Sequence, residues 1–330
     1  MLTKDNVFLP WSEQTEELFK EDLTKDFNID PSHINAEVVA DSVYNGSNRS
    51  YRVTTLKIQV PKFILAELNT MRARSLSMES SRAVPTSKMR DRIWENPFIP
   101  IYWGKTRSGM AADEQLTGWE LALAKFWWKY ASKVAVVVHK QLERCNLHKQ
   151  SANRILEPFM SVTGTITMTD WDNIFQLRYS KFAQPEFIAL IKKIHDAIVA
   201  STPVDLNPGD VHLPYITEEE KASRTKGTNV ISSVARCCRS SYGRNGQVFP
   251  FEKDAELFER LVMDCHYSPF EHIVVCPRSK SAKNAHTRNF TFWHQLRSYI
   301  EPVFSKKELS NLFGINWNEN KEENTKKEEK

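Results

Sequence analysis

The chain has 330 residues, 41% hydrophobic and 26% charged, with a formal net charge of +4. That length allows one large domain or two medium ones with a sizeable core, and no run of about 18 apolar residues offers a membrane span. The small positive charge suits a small anionic substrate and excludes a protein that coats nucleic acid.

The first residues, Met1 to Asn6, lack the basic patch and apolar stretch of a signal peptide, which points to the cytoplasm (the host's, if the source is viral). Residues 1–38 are polar and acidic with a few aromatics (Phe8, Trp11, Phe19) and read as an arm. Ala36 to Val60 is rich in β-branched residues and reads as strands. Pro61 opens a helix expected to run to about Arg72, proline being favoured in a first turn. Thr117 to Cys145 gives the strongest helical signal, with Leu121, Ala124, Trp128 and Ala131 at helical spacing. Further helices are expected over Ser151–Phe159, Trp171–Ser180 and Pro185–Ala200. Residues 206–228, with Pro208, Gly209, Pro214 and Gly227, read as a linker. A second segment, 229–312, then has helical patterns at Ile231–Cys238 and Asp254–Asp264, a strand at Ile273–Cys276 and a helix around Phe292–Ile300. The tail, 313–330, is almost purely charged and amide-bearing and reads as disordered.

Four constellations could carry chemistry. Arg72 to Arg82 holds three arginines and four serines; guanidinium forks and hydroxyls suit phosphate, although a solvated basic turn is the plainer reading. Asn153–Pro158 puts Arg154 in an apolar stretch, and Asp172–Arg178 places Asn173 and Arg178 about 140° apart on a helix. For both arginines the plainer reading is an internal ion pair, to Glu157 or Glu186. Cys265–His272 has cysteine and histidine together, but adjacent Cys265 and His266 do not chelate zinc as paired C-x2-C ligands do, so no metal is expected. Five cysteines, an odd count with Cys237 and Cys238 adjacent and no CxxC, suit free thiols in a reducing compartment.

Together these segments resemble the flavin-dependent thymidylate synthases, in permuted order. Of that family's RHRxxSxNExSxRY signature the chain keeps Arg72, Ser75, Ser80 and Arg82, with Thr70 and Met71 in place of the first arginine and the histidine. Ala152–Pro158 is similar to its ARxxLP segment, and Asn173–Arg178 with Ala183–Glu186 to its NFLxLR…AQxEI segment. Family features that precede these appear here after them: Arg239–Tyr242 resembles an ARVSF/Y turn, His266–His272 resembles HxSPFEH, and Phe292–Arg297 resembles a QWxR helix. The resemblance covers about 39–205 and 229–300.

It implies an α+β fold, a mixed sheet with packed helices, and a homo-oligomer, a tetramer, with no stable nucleic-acid or membrane binding. It implies a methyltransferase of nucleotide biosynthesis moving a one-carbon unit from methylene-tetrahydrofolate to carbon 5 of dUMP, with FAD as cofactor and NADPH as reductant. Ser80, Arg82, Arg154 and Arg178 would bind the pyrimidine deoxynucleotide, Ser80 and Arg178 acting in catalysis. Arg72, Asn173, Ser241, His266, Ser268, Glu271 and Arg297 would hold the flavin. Arg297 is expected to supply the charge that Thr70 lacks, the plainer reading being a pair with Glu301. The altered signature leaves two alternatives: a related enzyme that hydroxymethylates carbon 5 or takes dCMP, and a non-catalytic nucleotide-binding homologue.

Overall fold

The computed structural model describes residues 9–47, 49–112, 114–242, 244, 246–278, 286–303 and 306–313. The expected disordered tail, beyond Phe313, lies outside the described residues.

The β-branched run after residue 35 forms a long antiparallel pair, β1 (Asn35–Asn45) and β2 (Ser50–Pro61). Further along the chain, β3 (Ser75–Met78) and β4 (Ser161–Met168) extend the sheet antiparallel beyond β2, and β5 (Val204–Asp205) adds a parallel edge to β1. The order is β3-β4-β2-β1-β5. The fold is α+β with a mixed sheet and packed helices, as expected.

Alternation along these strands gives the sheet two different faces. Leu56, Ile58, Val60, Val162 and Ile166 are fully buried on one face. They form a core with side chains of α3 (Thr86–Glu95), α4 (Gly118–Arg144), α6 (Asp172–Arg178) and α7 (Pro185–Val199, with Pro185 in its first turn). Gly164 lets β3 and β4 approach: a Cβ there would lie 1.9 Å from the Met78 sulfur and 2.6 Å from the Ser77 carbonyl oxygen.

The other face carries Ser42, Thr55, Ser77, Thr165 and Thr167, all buried. Their cover is the second half of the chain, a small antiparallel sheet of order β6-β7-β8 (Val211–His212, Val274–Val275 and His294–Gln295) with helices α8 (Glu218–Ser223), α9 (Lys226–Cys238) and α10 (Phe251–Met263). Ile231, Val234, Phe258, Phe270, Ile273 and Ile300 centre that half's own core. The seam between the halves is a chain of hydrogen bonds: Ser42 Oγ to His212 Nδ1 (2.9 Å), His212 Nε2 to Thr55 Oγ1 (2.8 Å), Thr55 to Thr167 (2.7 Å), Thr167 to His272 Nδ1 (2.9 Å), and His272 Nε2 to Ser77 Oγ (2.8 Å). Burial pushes both histidines down to about 3, so both are neutral at neutral pH.

Several expectations need correction. The N-terminal arm is part of the core: Leu9, Trp11 and Ile34 are buried, and Trp11 lies edge-on to Phe175 at 5.0 Å. Its helix α1 (Glu13–Leu18) is capped by Ser12, which is in turn held by Asp172. The helix after Pro61 is short, a 3-10 turn and then α2 (Leu65–Leu68), because the chain must turn back to form β3. Residues 206–228 form part of the fold, supplying His212 and the capped helix α8. The helix expected over 292–300 is β8 followed by the single turn α11 (Arg297–Ile300). Around Ser151–Phe159 a turn, α5 (Lys149–Ala152), runs into a 3-10 helix, and α12 (Lys306–Phe313) closes the described chain.

Candidate functional site

The stretch from Thr70 to Arg82, the first constellation, crosses the sheet edge as a turn, β3 and a second turn, and the other three constellations and the Phe292–Arg297 segment converge on it. At its start, the Arg178 guanidinium donates to Thr70 Oγ1 at 2.9 Å and lies 3.6 Å from Glu67. At its centre, His272 meets Ser77, and the buried Gln295 amide donates to Ser75 Oγ at 2.8 Å and to the Glu271 carbonyl at 3.1 Å. At its end, Asn153 donates to the Ser81 carbonyl at 2.7 Å, and Ser81 Oγ donates to Glu157 at 2.6 Å. Segments up to 220 positions apart are thus pinned to one strand.

The sequence-predicted nucleotide residues divide into two places. Ser80 and Arg82 form the turn after β3, where Ser80 Oγ accepts from the Arg82 backbone N–H at 3.3 Å. Arg154 stands beside that turn, pairing with Glu157 at 2.8 Å as its plainer reading anticipated. Lys62 is close enough to interact with Glu157 and Arg154, and burial pushes its ammonium below the ordinary lysine range. Lys149 Nζ donates to the Ala83 carbonyl at 3.4 Å. Lys62, Lys149 and Arg154 thus stand about the turn that carries Arg82, with Glu157 meeting Arg154 and Lys62, and the excess positive charge is of the kind an anionic group takes. Nearby Glu79, although buried, is already neutralised by a bidentate Arg92 at 2.8 and 3.1 Å. Arg178 lies at the other end of the stretch, at Thr70.

Of the predicted flavin residues, Ser268 and Glu271 lie in a 3-10 turn, Arg72 lies just ahead of β3 and Asn173 is on α6. Arg72, His266 and Ser268 are exposed, as is Asn173 on α6. Arg74, half-buried, donates to the Leu68 carbonyl and to Asn69, and burial lowers its pKa against the opposing pull of Glu271. The Ser241 side chain lies outside the described residues; its neighbour Ser240 is buried and reaches Thr165 at 2.9 Å.

Arg297 donates to Glu301 at 2.7 Å and also to Glu271, with the Tyr267 ring 5.9 Å away. The pair with Glu301 is the plainer reading; the second bond, to Glu271, ties Arg297 to the predicted flavin turn. Among the described residues the guanidinium that meets Thr70 belongs to Arg178.

Sequence reasoning missed His212, Gln295, Thr55, Thr165 and Thr167 as organisers of the seam. Only Gln295 had a signal, its place in the QWxR-like segment. Among the described residues, no group of three or more His, Cys, Asp or Glu could hold a metal ion. No helix there is long and apolar enough to cross a membrane.

No protein-family model matches the chain, and neither does any curated protein sequence. Solved structures similar to it include a UMP/dUMP methylase, PolB, from Streptomyces cacaoi bound with 5-Br UMP. That similarity has 15% identity and a TM-score of 0.40, over 50% of this chain and 88% of that one. The same methylase bound with 5-Br dUMP is similar at 15% identity and a TM-score of 0.35, over 45% of this chain and 67% of that one.

Proposed function

We propose that the chain binds a pyrimidine deoxynucleotide and modifies its carbon 5, in the manner of a flavin-dependent thymidylate synthase. The observation that carries this reading is the convergence on Thr70–Arg82. Asn153, Arg178, His272 and Gln295 come from four motifs that resemble one family in permuted order, and each hydrogen-bonds within that stretch.

The Ser80–Arg82 turn with Arg154 and Lys62 would take the phosphate, since guanidinium forks match phosphate oxygens and the turn carries excess positive charge. Arg178 would face the base, where a fixed cation stabilises negative charge developing as carbon 5 becomes nucleophilic. FAD would supply the hydride that completes the transferred one-carbon unit. The donor set fits such a group: Arg72, His266 and Ser268 are exposed on neighbouring segments, with Asn173 on α6. The Arg297–Glu271 pair would set the orientation of the Ser268–Glu271 turn toward it. Methylene-tetrahydrofolate and NADPH would be co-substrates.

Calorimetric titration with dUMP tests the nucleotide half of this reading. The wild type is expected to bind, and Arg82→Ala or Arg154→Ala to weaken binding by about 1.5–3 kcal/mol, the range for a hydrogen bond to a charged group. Absence of binding by dUMP and dCMP alike would end the proposal. Unchanged affinity in both variants would place the phosphate elsewhere.

A further inference from the structure

Helix α4 is 27 residues long and apolar on two opposite sides. One side packs inward: Ser132, Ala135, Val136 and His139 are buried, and the Trp128 indole donates to the Phe98 carbonyl at 2.9 Å. The other side lies about 180° round the helix at 100° per residue, and it carries Trp119, Leu123, Phe126, Trp127, Tyr130 and Val134. These are open to solvent in the single chain, with Trp119 74%, Phe126 56%, Trp127 55% and Tyr130 53% exposed. A helix with a second apolar face is suited to burial inside a larger assembly.

We infer that this stripe is the contact between two copies of the chain, whose α4 helices pair antiparallel across a two-fold axis near Phe126–Tyr130. Area is the first argument. With Val137 and Val138, which are also exposed, the stripe offers about 800 Å² of mostly apolar surface, one partner's share of a standard stable interface. Shape is the second. Antiparallel pairing about that centre sets Trp119 of one copy against Val137 and Val138 of the other, and Leu123 against Val134. Large side chains then meet small β-branched ones at both ends, as close packing requires. In the middle, Phe126, Trp127 and Tyr130 already touch one another, with ring centroids 5.2 to 6.2 Å apart, and the symmetry brings the second triad onto the first. A parallel pairing would instead stack Trp119 on Trp119 and leave valine against valine. Lys125, Lys129 and Lys140 lie off the stripe, where their ammonium groups stay in water in either copy.

Sedimentation velocity on the full chain at tens of micromolar tests the inference. The wild type is expected at twice the chain mass or a multiple of it. Phe126→Glu with Tyr130→Glu should weaken that association by about a hundredfold, with the far-UV circular dichroism and melting temperature of the folded chain retained. Geometry is tested by thiol cross-linking in a Cys145→Ser, Cys265→Ser background. Leu123→Cys with Val134→Cys should give covalent dimers through a short bismaleimide, and Leu123→Cys alone should not. A monomeric wild type overturns the inference, as does an oligomer that the double glutamate variant leaves intact. Cross-linking by Leu123→Cys alone overturns the antiparallel arrangement. A monomer that binds phosphatidylserine vesicles through the stripe would make it a membrane surface instead.

Discussion

Between pH 7 and pH 5 the folded protein is expected to lose about 4 kcal/mol of stability, because the seam holds His212 and His272 neutral. Each imidazole uses both ring nitrogens, His212 for Ser42 and Thr55, His272 for Thr167 and Ser77. Both are buried, and both fall from the ordinary 6.5 to about 3 with burial as the largest cause. In the unfolded chain each takes up a proton as the pH drops below 6.5, while the folded chain resists until about 3. Stability is therefore full above pH 6.5 and declines as the pH falls through that window. At pH 5 the difference is about 2 kcal/mol for each histidine, by the linkage between proton uptake and unfolding. Urea unfolding at several pH values reads this directly. His272→Gln should lower the stability at pH 7 yet reduce its dependence on pH to about half. A flat profile from pH 7 to pH 5, or an unchanged slope in the variant, would show that the histidines are not held neutral.

Asp41→Ala should destabilise the fold by about 3–5 kcal/mol, the cost of leaving a buried charge without its partner. Arg52, on β2, is fully enclosed; its Nε donates to Asp41 Oδ1 at 2.9 Å and its Nη2 to Asp41 Oδ2 at 2.5 Å. The same guanidinium holds the end of α7 through the Ile198 carbonyl at 3.1 Å and the Ser201 carbonyl at 3.3 Å. Removing the carboxylate strands that cation between sheet and helix. Replacing both residues together, Asp41→Leu with Arg52→Met, should cost much less, because no charge is then left buried. Urea midpoints of the wild type and the two variants decide it; equal losses in the single and double variants would mean that the pair is not isolated from water.

The parts of the fold legible in the sequence are those where local pattern and burial agree. β1, β2, α4 and α7 have strong periodicity and lie close to where the sequence put them. β4 escaped notice: its alternate residues are threonines and Gly164 interrupts it, features of a solvent-facing loop unless a second body covers that face. The same covering explains β3, which reads as a basic turn until His272 and Gln295 are seen to bond its serines. His212 stands in a Pro- and Gly-rich stretch with no local signal at all. The arginines about Thr70–Arg82 were more legible than the seam, since they sit in recognisable segments. What those segments could not show was that Arg178 rather than Arg297 would meet Thr70, a pairing made only by tertiary packing.

The central claim is that the Thr70–Arg82 stretch and the His266–His272 segment together bind a flavin and a pyrimidine nucleotide. Its most direct test is the visible absorption spectrum of the purified protein, recorded as isolated, after adding FAD, and again after dUMP. Bound flavin is predicted, with its absorption bands shifting when dUMP enters beside it and the flavin lost on substituting Arg72→Ala with His266→Ala. A protein that is colourless as isolated and takes up no added FAD, with or without dUMP, would contradict the account.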